Sequence, residues 1–269
     1  MTKLLNGYKA VVHGALTIIP VGRRFELTPL GESLVTKVND LLLLIDSTLG
    51  TKPEFLPETS KRHFLIAASD YSINVLFLDV LKEMRQTAPH VTVAFRQPTG
   101  KTYQELESGE VDFVIAPEWH ATPGFSSCRL FDDTYCGVVD INNSSTGDSL
   151  SLDQYFAGRH VAMENVGGPM FDTWCEHTYP KRRSVDVQAP SFSVLPHLVV
   201  GTDRIATMHT RLADKACTYL PVRKVHLDID YPPFVEMLLW HNYRDHDPGM
   251  VWVREMLLQY AQAMPHVMP

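Results

Sequence analysis

The sequence predicts an α/β fold in two units, and three observations predict it. From His63 onward short β-branched runs alternate with helical patterns, the alternation starts again after a polar loop at 142–149, and one long leucine-rich helix precedes both units. A chain of 269 residues also exceeds one typical core, which fits two units better than one.

The long helix comes first. In "GRRFELTPLGESLVTKVNDLLLLIDSTL", residues 22–49, Thr28 is placed to cap a helix, and Pro29 suits its first position, where no backbone donor is missed. Leu30, Leu34, Val38, Leu41, Ile45 and Leu49 recur every three or four residues and form one apolar seam. Leu42, Leu43 and Leu44 widen it, and Gly50 and Pro53 end the helix. Such a seam fits a core helix or a dimerisation helix, about 30 Å long at 1.5 Å per residue. Residues 51–62, "TKPEFLPETSKR", carry two prolines and mixed charge and form a linker.

In the first unit "HFLIAAS" is a strand, and "DYSINVLFLDVLKEMRQTAP" is a helix with Ile73, Leu76, Phe77, Val80, Leu81 and Met84 on one side. "HVTVAFRQ" is a strand, "KTYQELESG" a short helix and "VDFVIAPE" a strand. This βαβαβ order implies parallel strands and right-handed crossovers. The polar loop 142–149, "NNSSTGDS", is a boundary candidate. Beyond it "RHVAMENV" is a strand, "PMFDTWCEHTYP" a helix, "SVDVQAP" a strand, "SFSVLPHLVVGTD" a helix and "RIATMHTRLA" a strand. "VEMLLWHN" is a last strand, and "DPGMVWVREMLLQYAQAM" a closing helix capped by Asp247 with Pro248 at its first position. Ligands of such sheets bind beyond the carboxyl ends of the strands, where helix N-termini offer free N–H groups, so two facing units make a cleft.

Composition excludes several functions. A net charge of −7 argues against a surface that binds nucleic acid as a whole, although Lys3, Lys9, Arg23, Arg24 and Lys37 outnumber the acids of the first forty residues. The longest aliphatic run, 41–45, is far too short to cross a bilayer, and no signal peptide opens the chain; a cytoplasmic protein with no membrane partner is expected. Cys128, Cys136, Cys175 and Cys217 lack metal-ligand spacing, so buried reduced thiols are expected. No GxSxG, Walker or GxGxxG motif occurs, and the twelve histidines match no triad or ligand pattern; surface or capping roles are expected for them. No catalytic residue, metal or cofactor is therefore expected. "KRR" at 181–183 follows a helix end, where cations favour the dipole, and is expected to be solvated.

Five segments carry a resemblance that spans nearly the whole chain. "GRRFELTPLGESL", "ASDYSINVLFLDVLKEMRQTAPHV", "ELESGEVDFVIAPE", "VVGTDRIATMHTRLA" and "WHNYRDHDPGMVWVREML" resemble, in that order, the LysR-type transcriptional regulators. More narrowly, they are similar to the branch holding the nodulation regulators and the naphthalene-, salicylate- and nitroaromatic-responsive regulators. The resemblance implies an N-terminal winged helix-turn-helix, a linker helix that dimerises, and an effector domain of two Rossmann-like subdomains of periplasmic-binding-protein type 2. On that pattern residues 1–27 are a partial winged helix-turn-helix and 28–50 the dimerisation helix, with 51–62 the linker. Residues 63–138 and 238–269 form effector subdomain I, and 139–237 form subdomain II. "MTKLLNGYKAVVHGAL" resembles a recognition helix and the segment after it, with Thr2 and Lys9 at matching positions, and Arg23 and Arg24 fall in the wing that meets the DNA backbone. The helices that normally precede it are missing from this sequence, so binding of promoter DNA is expected of a complete helix-turn-helix rather than of this chain. A homodimer or homotetramer is implied. The alternative is a free-standing small-molecule-binding protein with the same cleft, which would have no use for the helix at 28–50.

The resemblance places the effector, a small aromatic molecule, in the cleft. Ser69, Asp70 and Tyr71 stand where the first strand meets its helix, and can either hold a carboxylate or phenol or simply cap the helix, though Asp70 itself would repel an anion. Pro98, Thr99 and Gly100 follow the second strand, where Thr99 either donates to a ligand or shapes a turn. Pro117 and Glu118 end the third strand, at the expected crossover, as pocket wall and hinge. In "PSF", 190–192, Ser191 stands where some aromatic-responsive relatives carry His, a departure that bears on carboxylate recognition, while Phe192 can stack on an aromatic ligand. Gly167 and Gly168 open another helix and permit close backbone approach or a plain turn. The expected effector-binding set is Ser69, Tyr71, Pro98, Thr99, Pro117, Ser191 and Phe192.

Overall fold

The structure is a computed structural model describing residues 17–21, 24–49, 55–121, 123–164, 170–231, 233–265 and 267. Thr2, Lys9, Arg23, Gly167 and Gly168 lie outside the described residues. Strands β1 (Ile18–Val21) and β2 (Arg24–Leu27) pair antiparallel and lead into helix α1 (Pro29–Leu49). Thr28 caps it through its hydroxyl, which accepts from the Gly31 N–H at 3.1 Å. Gly31 is required there, because a Cβ would overlap the Thr17 carbonyl oxygen. Leu30, Leu34 and Val38 are half-buried, whereas Leu41, Leu42, Leu44 and Ile45 face outward.

A five-stranded sheet comprises β3 (His63–Ala67), β4 (Thr92–Arg96), β5 (Phe113–Pro117), β6 (Phe125–Asp133) and a late strand, β13 (Phe234–His241). Its order is β4-β3-β5-β13-β6, with β3 parallel to β4 and β5, and β13 antiparallel to both its neighbours. A six-stranded sheet holds β7 (Tyr135–Asp140), β8 (Ser149–Leu150), β9 (Arg159–Met163), β10 (Ser184–Ala189), β11 (Ile205–His209) and β12 (Val222–Leu227) in the order β10-β9-β11-β7-β12-β8.

The helix expected after β3 forms in three pieces: α2 (Asp70–Ser72), a π-helical stretch (Ile73–Phe77) and α3 (Leu78–Thr87). Its predicted apolar side is the buried one, with Leu76, Phe77, Val80 and Met84 in the core beside Phe64, Phe113 and Leu238. The short helix α4 (Thr102–Glu107) ends at Gly109, whose φ of 75° turns the chain back into β5. Helices α5 (Leu152–Ala157), α6 (Met170–Thr178) and α7 (Thr210–Ala216) belong to the six-stranded half, and α8 (Pro248–Gln262) closes the chain. Asp247 caps α8 as expected, accepting from the Gly249 and Met250 N–H groups at 2.9 and 3.0 Å.

Several expectations are corrected. The three strands of the expected βαβαβ unit, β3, β4 and β5, are parallel as read, but each sheet as a whole is mixed, because β7 and β13 run against their neighbours. The loop 142–149 is no boundary: it joins β7 to β8 within one sheet, and the Arg223 guanidinium binds its carbonyls at Asn143 and Gly147. The chain changes sheet at Thr134, between β6 and β7, and again between β12 and β13, so the divisions expected at 138/139 and 237/238 fall inside β7 and β13. Pro117 and Glu118 are accordingly not the crossover, since β6 still belongs to the first sheet. The strand expected over 204–213 stops at His209 and becomes α7, and Phe192–Leu198 is a 3-10 helix containing Pro196, where the ring removes a backbone donor. Cys136 and Cys175 are buried and Cys128 and Cys217 half-buried, all unbridged.

Candidate functional site

The two halves meet around the crossing at Thr134, and the side chains beside it form two layers. In the outer layer Ser69 caps α2 by accepting from the Ser72 N–H at 3.2 Å. Asp70, next in sequence, reaches across to the other half: its carboxylate accepts from the Ser191 hydroxyl at 2.7 Å, the Phe192 N–H at 3.3 Å and the Ser193 N–H at 2.7 Å. Asn74 reinforces the joint by donating to Ser193 Oγ at 2.9 Å, and Lys215 donates to the Asn74 carbonyl at 2.6 Å.

The inner layer is aromatic and acidic. Tyr71 is buried and stacks on His209 with ring centroids 3.8 Å apart and planes 13° from parallel. Phe192 meets the same imidazole edge-on at 4.7 Å, and Phe234 lies 5.4 Å from it. The Tyr71 hydroxyl donates to Asp133 at 2.6 Å, and Asp133 also accepts from the Thr134 N–H at 2.7 Å. Burial pushes the Asp133 carboxyl up to about 6, against these hydrogen bonds, which pull it down. Burial likewise keeps His209 neutral, with its pKa lowered to about 3. Its Nε2 lies 3.2 Å from the Tyr135 hydroxyl.

Glu236 is buried beside these groups, and burial, with the Asp133 charge added, pushes its carboxyl up to about 8. Three buried polar atoms have no hydrogen-bond partner here: Glu236 Oε2, His209 Nδ1 and Tyr231 Oη. The site is thus a packed aromatic cluster with unmet hydrogen-bonding capacity. Among the described residues no group of three or more His, Cys, Asp or Glu is arranged to hold a metal ion.

Of the expected residues, Ser69, Tyr71, Ser191 and Phe192 come together at this joint. Thr99 lies exposed past β4 with Pro98, in a turn where its hydroxyl accepts from the Lys101 N–H at 3.2 Å and its own N–H donates to Thr102 Oγ1 at 2.7 Å. Pro117 ends β5 directly opposite Glu236 on β13. Sequence reasoning missed Asp133, Tyr135, His209, Tyr231 and Glu236, which no local motif links. Their one signal was a charged or polar residue inside an apolar run, as in "RIATMH" and "FVEMLLW". His160 and His209 are buried, not at the surface, and His241 is both buried and a cap to the Tyr243 N–H. The side chain of Arg183 in "KRR" is largely covered too: it ion-pairs with Asp172 and donates to the Tyr155 hydroxyl, so that helix end is only partly solvated.

Residues 58–262 match the family model of the LysR substrate binding domain. The chain belongs to the LysR-type transcriptional regulators. It is 33% identical over 248 residues to nodulation protein D 2 of Bradyrhizobium diazoefficiens, an alignment covering 90% of this chain and 74% of that protein. It is 34% identical over 248 residues to nodulation protein D 1 of Rhizobium tropici, covering 90% and 80%. In fold it is similar to the crystal structure of a probable transcriptional regulator from Pseudomonas aeruginosa, with a TM-score of 0.73 and 24% identity over 91% of this chain and 82% of that one. The two sheets are therefore the two subdomains of a LysR effector-binding domain, and the joint at Thr134 lies between them. No helix among the described residues is long and apolar enough to cross a membrane.

Proposed function

We propose that this LysR-type regulator senses a small aromatic effector bound between its two subdomains. The observation that carries the proposal is the aromatic cluster of Tyr71, His209, Phe192 and Phe234 between the subdomains, beside which buried polar atoms remain unpaired. Ser69, Tyr71, Ser191 and Phe192, which come together at the joint, contribute to the effector site with Pro117 at its edge, whereas Pro98 and Thr99 stand apart in an exposed turn. Calorimetry against phenols, benzoates and flavonoids tests it. Phe192→Ala should weaken binding severalfold without unfolding the protein, whereas Thr99→Val, in its exposed turn, should leave binding unchanged. Failure of the whole panel to bind removes the aromatic reading; equal binding to wild type and to Phe192→Ala removes the residue assignment.

The regulator works in the cytoplasm as a homodimer or homotetramer, and contacts promoter DNA through a complete helix-turn-helix, with Arg24 in its wing. Support for the oligomer comes from α1, which exposes Leu41, Leu42, Leu44 and Ile45 on one helix. Replacing Leu41 and Ile45 with Glu should lower the sedimentation mass; an unchanged mass would show that α1 is not the principal contact.

A further inference from the structure

We infer that Glu236 selects the effector, acting as a neutral carboxylic acid that reads an uncharged oxygen of the aromatic ligand. This rests on the aromatic reading of the site and adds the charge class of the ligand. Glu236 and Phe234 alternate on the same, buried face of β13, so the carboxyl lies on the side of the sheet that carries the aromatic cluster. Tyr135 links the remaining open atoms to that cluster: its ring centroid is 5.5 Å from Phe234, 4.7 Å from His209 and 4.9 Å from Tyr231. His209 and Tyr231 thus both pack on Tyr135, whose hydroxyl, like that of Tyr71, is within electrostatic reach of Glu236, and Glu236 Oε2, His209 Nδ1 and Tyr231 Oη are all buried without a partner. Buried polar atoms are nearly always paired, so three exceptions in one joint point to bonds made with a ligand.

The neighbours of Glu236 set its charge. Asp133 faces it from the end of β6, Tyr71 from α2 and Tyr135 from β7, while its register partners on the flanking strands are Pro117 and Phe131. The guanidinium of Arg211 is committed to the carbonyls of Asp132 and Pro265. Two acids side by side do not both ionise, and Asp133 already has the donors Tyr71, Thr134 and Arg211 that favour its anion. The proton stays on Glu236. A carboxylate ligand has no place in this arrangement: Asp70 occupies the Ser191 hydroxyl and the Phe192 and Ser193 N–H groups, and Asp133 repels a second anion.

The test compares 4-methoxyacetophenone with 4-methoxybenzoate, a matched pair in which only the second is an anion, by calorimetry on the full chain from pH about 7 to about 9, above the range in which Asp133 takes up its proton. The wild type should bind the ketone at least about tenfold more tightly than the benzoate, and the ketone affinity should fall as pH rises through about 8. Glu236→Gln should bind the ketone within about threefold of wild type and show a flat profile, because an amide keeps a neutral donor. Glu236→Leu should bind about tenfold more weakly, also without pH dependence. Thermal melting separates this loss from misfolding, since Leu in place of an unpaired buried carboxyl should melt no lower than wild type. Equal ketone binding by wild type and Glu236→Leu, a pH profile that persists in Glu236→Gln, or tighter binding of the benzoate overturns the role of Glu236 and leaves the aromatic reading standing. If neither probe binds the wild type and the wider panel of phenols and flavonoids also fails, both readings fall.

Discussion

Two buried polar clusters of this molecule differ in one respect. Inside the six-stranded subdomain, Arg183 pairs with Asp172 and donates to the Tyr155 hydroxyl at 3.1 Å, while that hydroxyl lies 2.7 Å from Thr207 Oγ1. His160 adds a bond to the Tyr155 carbonyl at 2.7 Å and leaves only its Nδ1 open. At the joint between subdomains, Asp133 is equally well served, yet Glu236, His209 and Tyr231 each keep an open atom. A nearly closed network fixes one arrangement of the fold. An open one holds bonding capacity for something that arrives later.

The largest effect that would test this contrast belongs to the closed cluster. Arg183→Met strands the half-buried Asp172 carboxylate and removes a donor from the Tyr155 hydroxyl, and breaking such a pair costs about 2–4 kcal/mol, toward the lower end of the range for fully buried pairs. Urea unfolding should register that loss, while affinity for an aromatic ligand stays unchanged in the folded protein. A loss under about 1 kcal/mol would mean that the pair behaves as a surface bridge. Tyr71→Phe comes next, because it removes one donor from Asp133 and costs about 1–3 kcal/mol. Without that hydrogen bond the Asp133 carboxyl should titrate higher still than about 6, which carboxyl NMR can detect. Unlike Arg183→Met, this variant should also change effector affinity.

The closed and open clusters were unequally legible in the sequence. Periodicity located α1, the helix after β3, the closing helix and its Asp247 cap, because each depends on residues within a few positions of one another. The same local logic found Ser69 as a cap, whereas it was the family resemblance that brought Tyr71, Ser191 and Phe192 into the candidate site. It missed β6, β7, β12 and α5, whose apolar residues alternate weakly or occupy short runs. The crossing at Thr134 was illegible for a different reason: a strand that leaves one sheet and enters another after a single residue leaves no composition shift. His209 and Glu236 lie on strands far apart in sequence from Tyr135 and Asp133, and only the pairing of β11 with β7 and of β13 with β6 brings them to one joint. Arg183 misled in the opposite direction. Its setting in "KRR" suggested solvent, and only the fold supplies the half-buried Asp172.

Smallest at any single pH step is a change of slope, and it sets the two kinds of buried group against each other. His209 is neutral in the folded protein until about pH 3, whereas in the unfolded chain it takes up a proton near its ordinary value of 6.5. Acidification below 6.5 therefore favours unfolding, by up to about 1.4 kcal/mol per pH unit for one proton. Asp133 and Glu236 act in the opposite sense. Their folded values, about 6 and about 8, exceed the ordinary 3.8 and 4.5, so the stability they contribute is full below the ordinary values and is lost as pH rises through the folded ones. His209→Phe keeps a ring over Tyr71 and gives up the contact with the Tyr135 hydroxyl, a cost that does not vary in this range. It leaves the two acids unopposed. Relative to wild type, the variant should gain about 1.4 kcal/mol for each pH unit below 6.5, measured by urea unfolding at successive pH values. Replacing His160 should give a gain of the same sign that ends near pH 4, where that imidazole itself takes up a proton in the folded state. Parallel curves for His209→Phe and wild type would mean that the folded joint already holds a charged imidazole, and the stack with Tyr71 would then have to be read as a cation on a ring rather than as part of an apolar cluster.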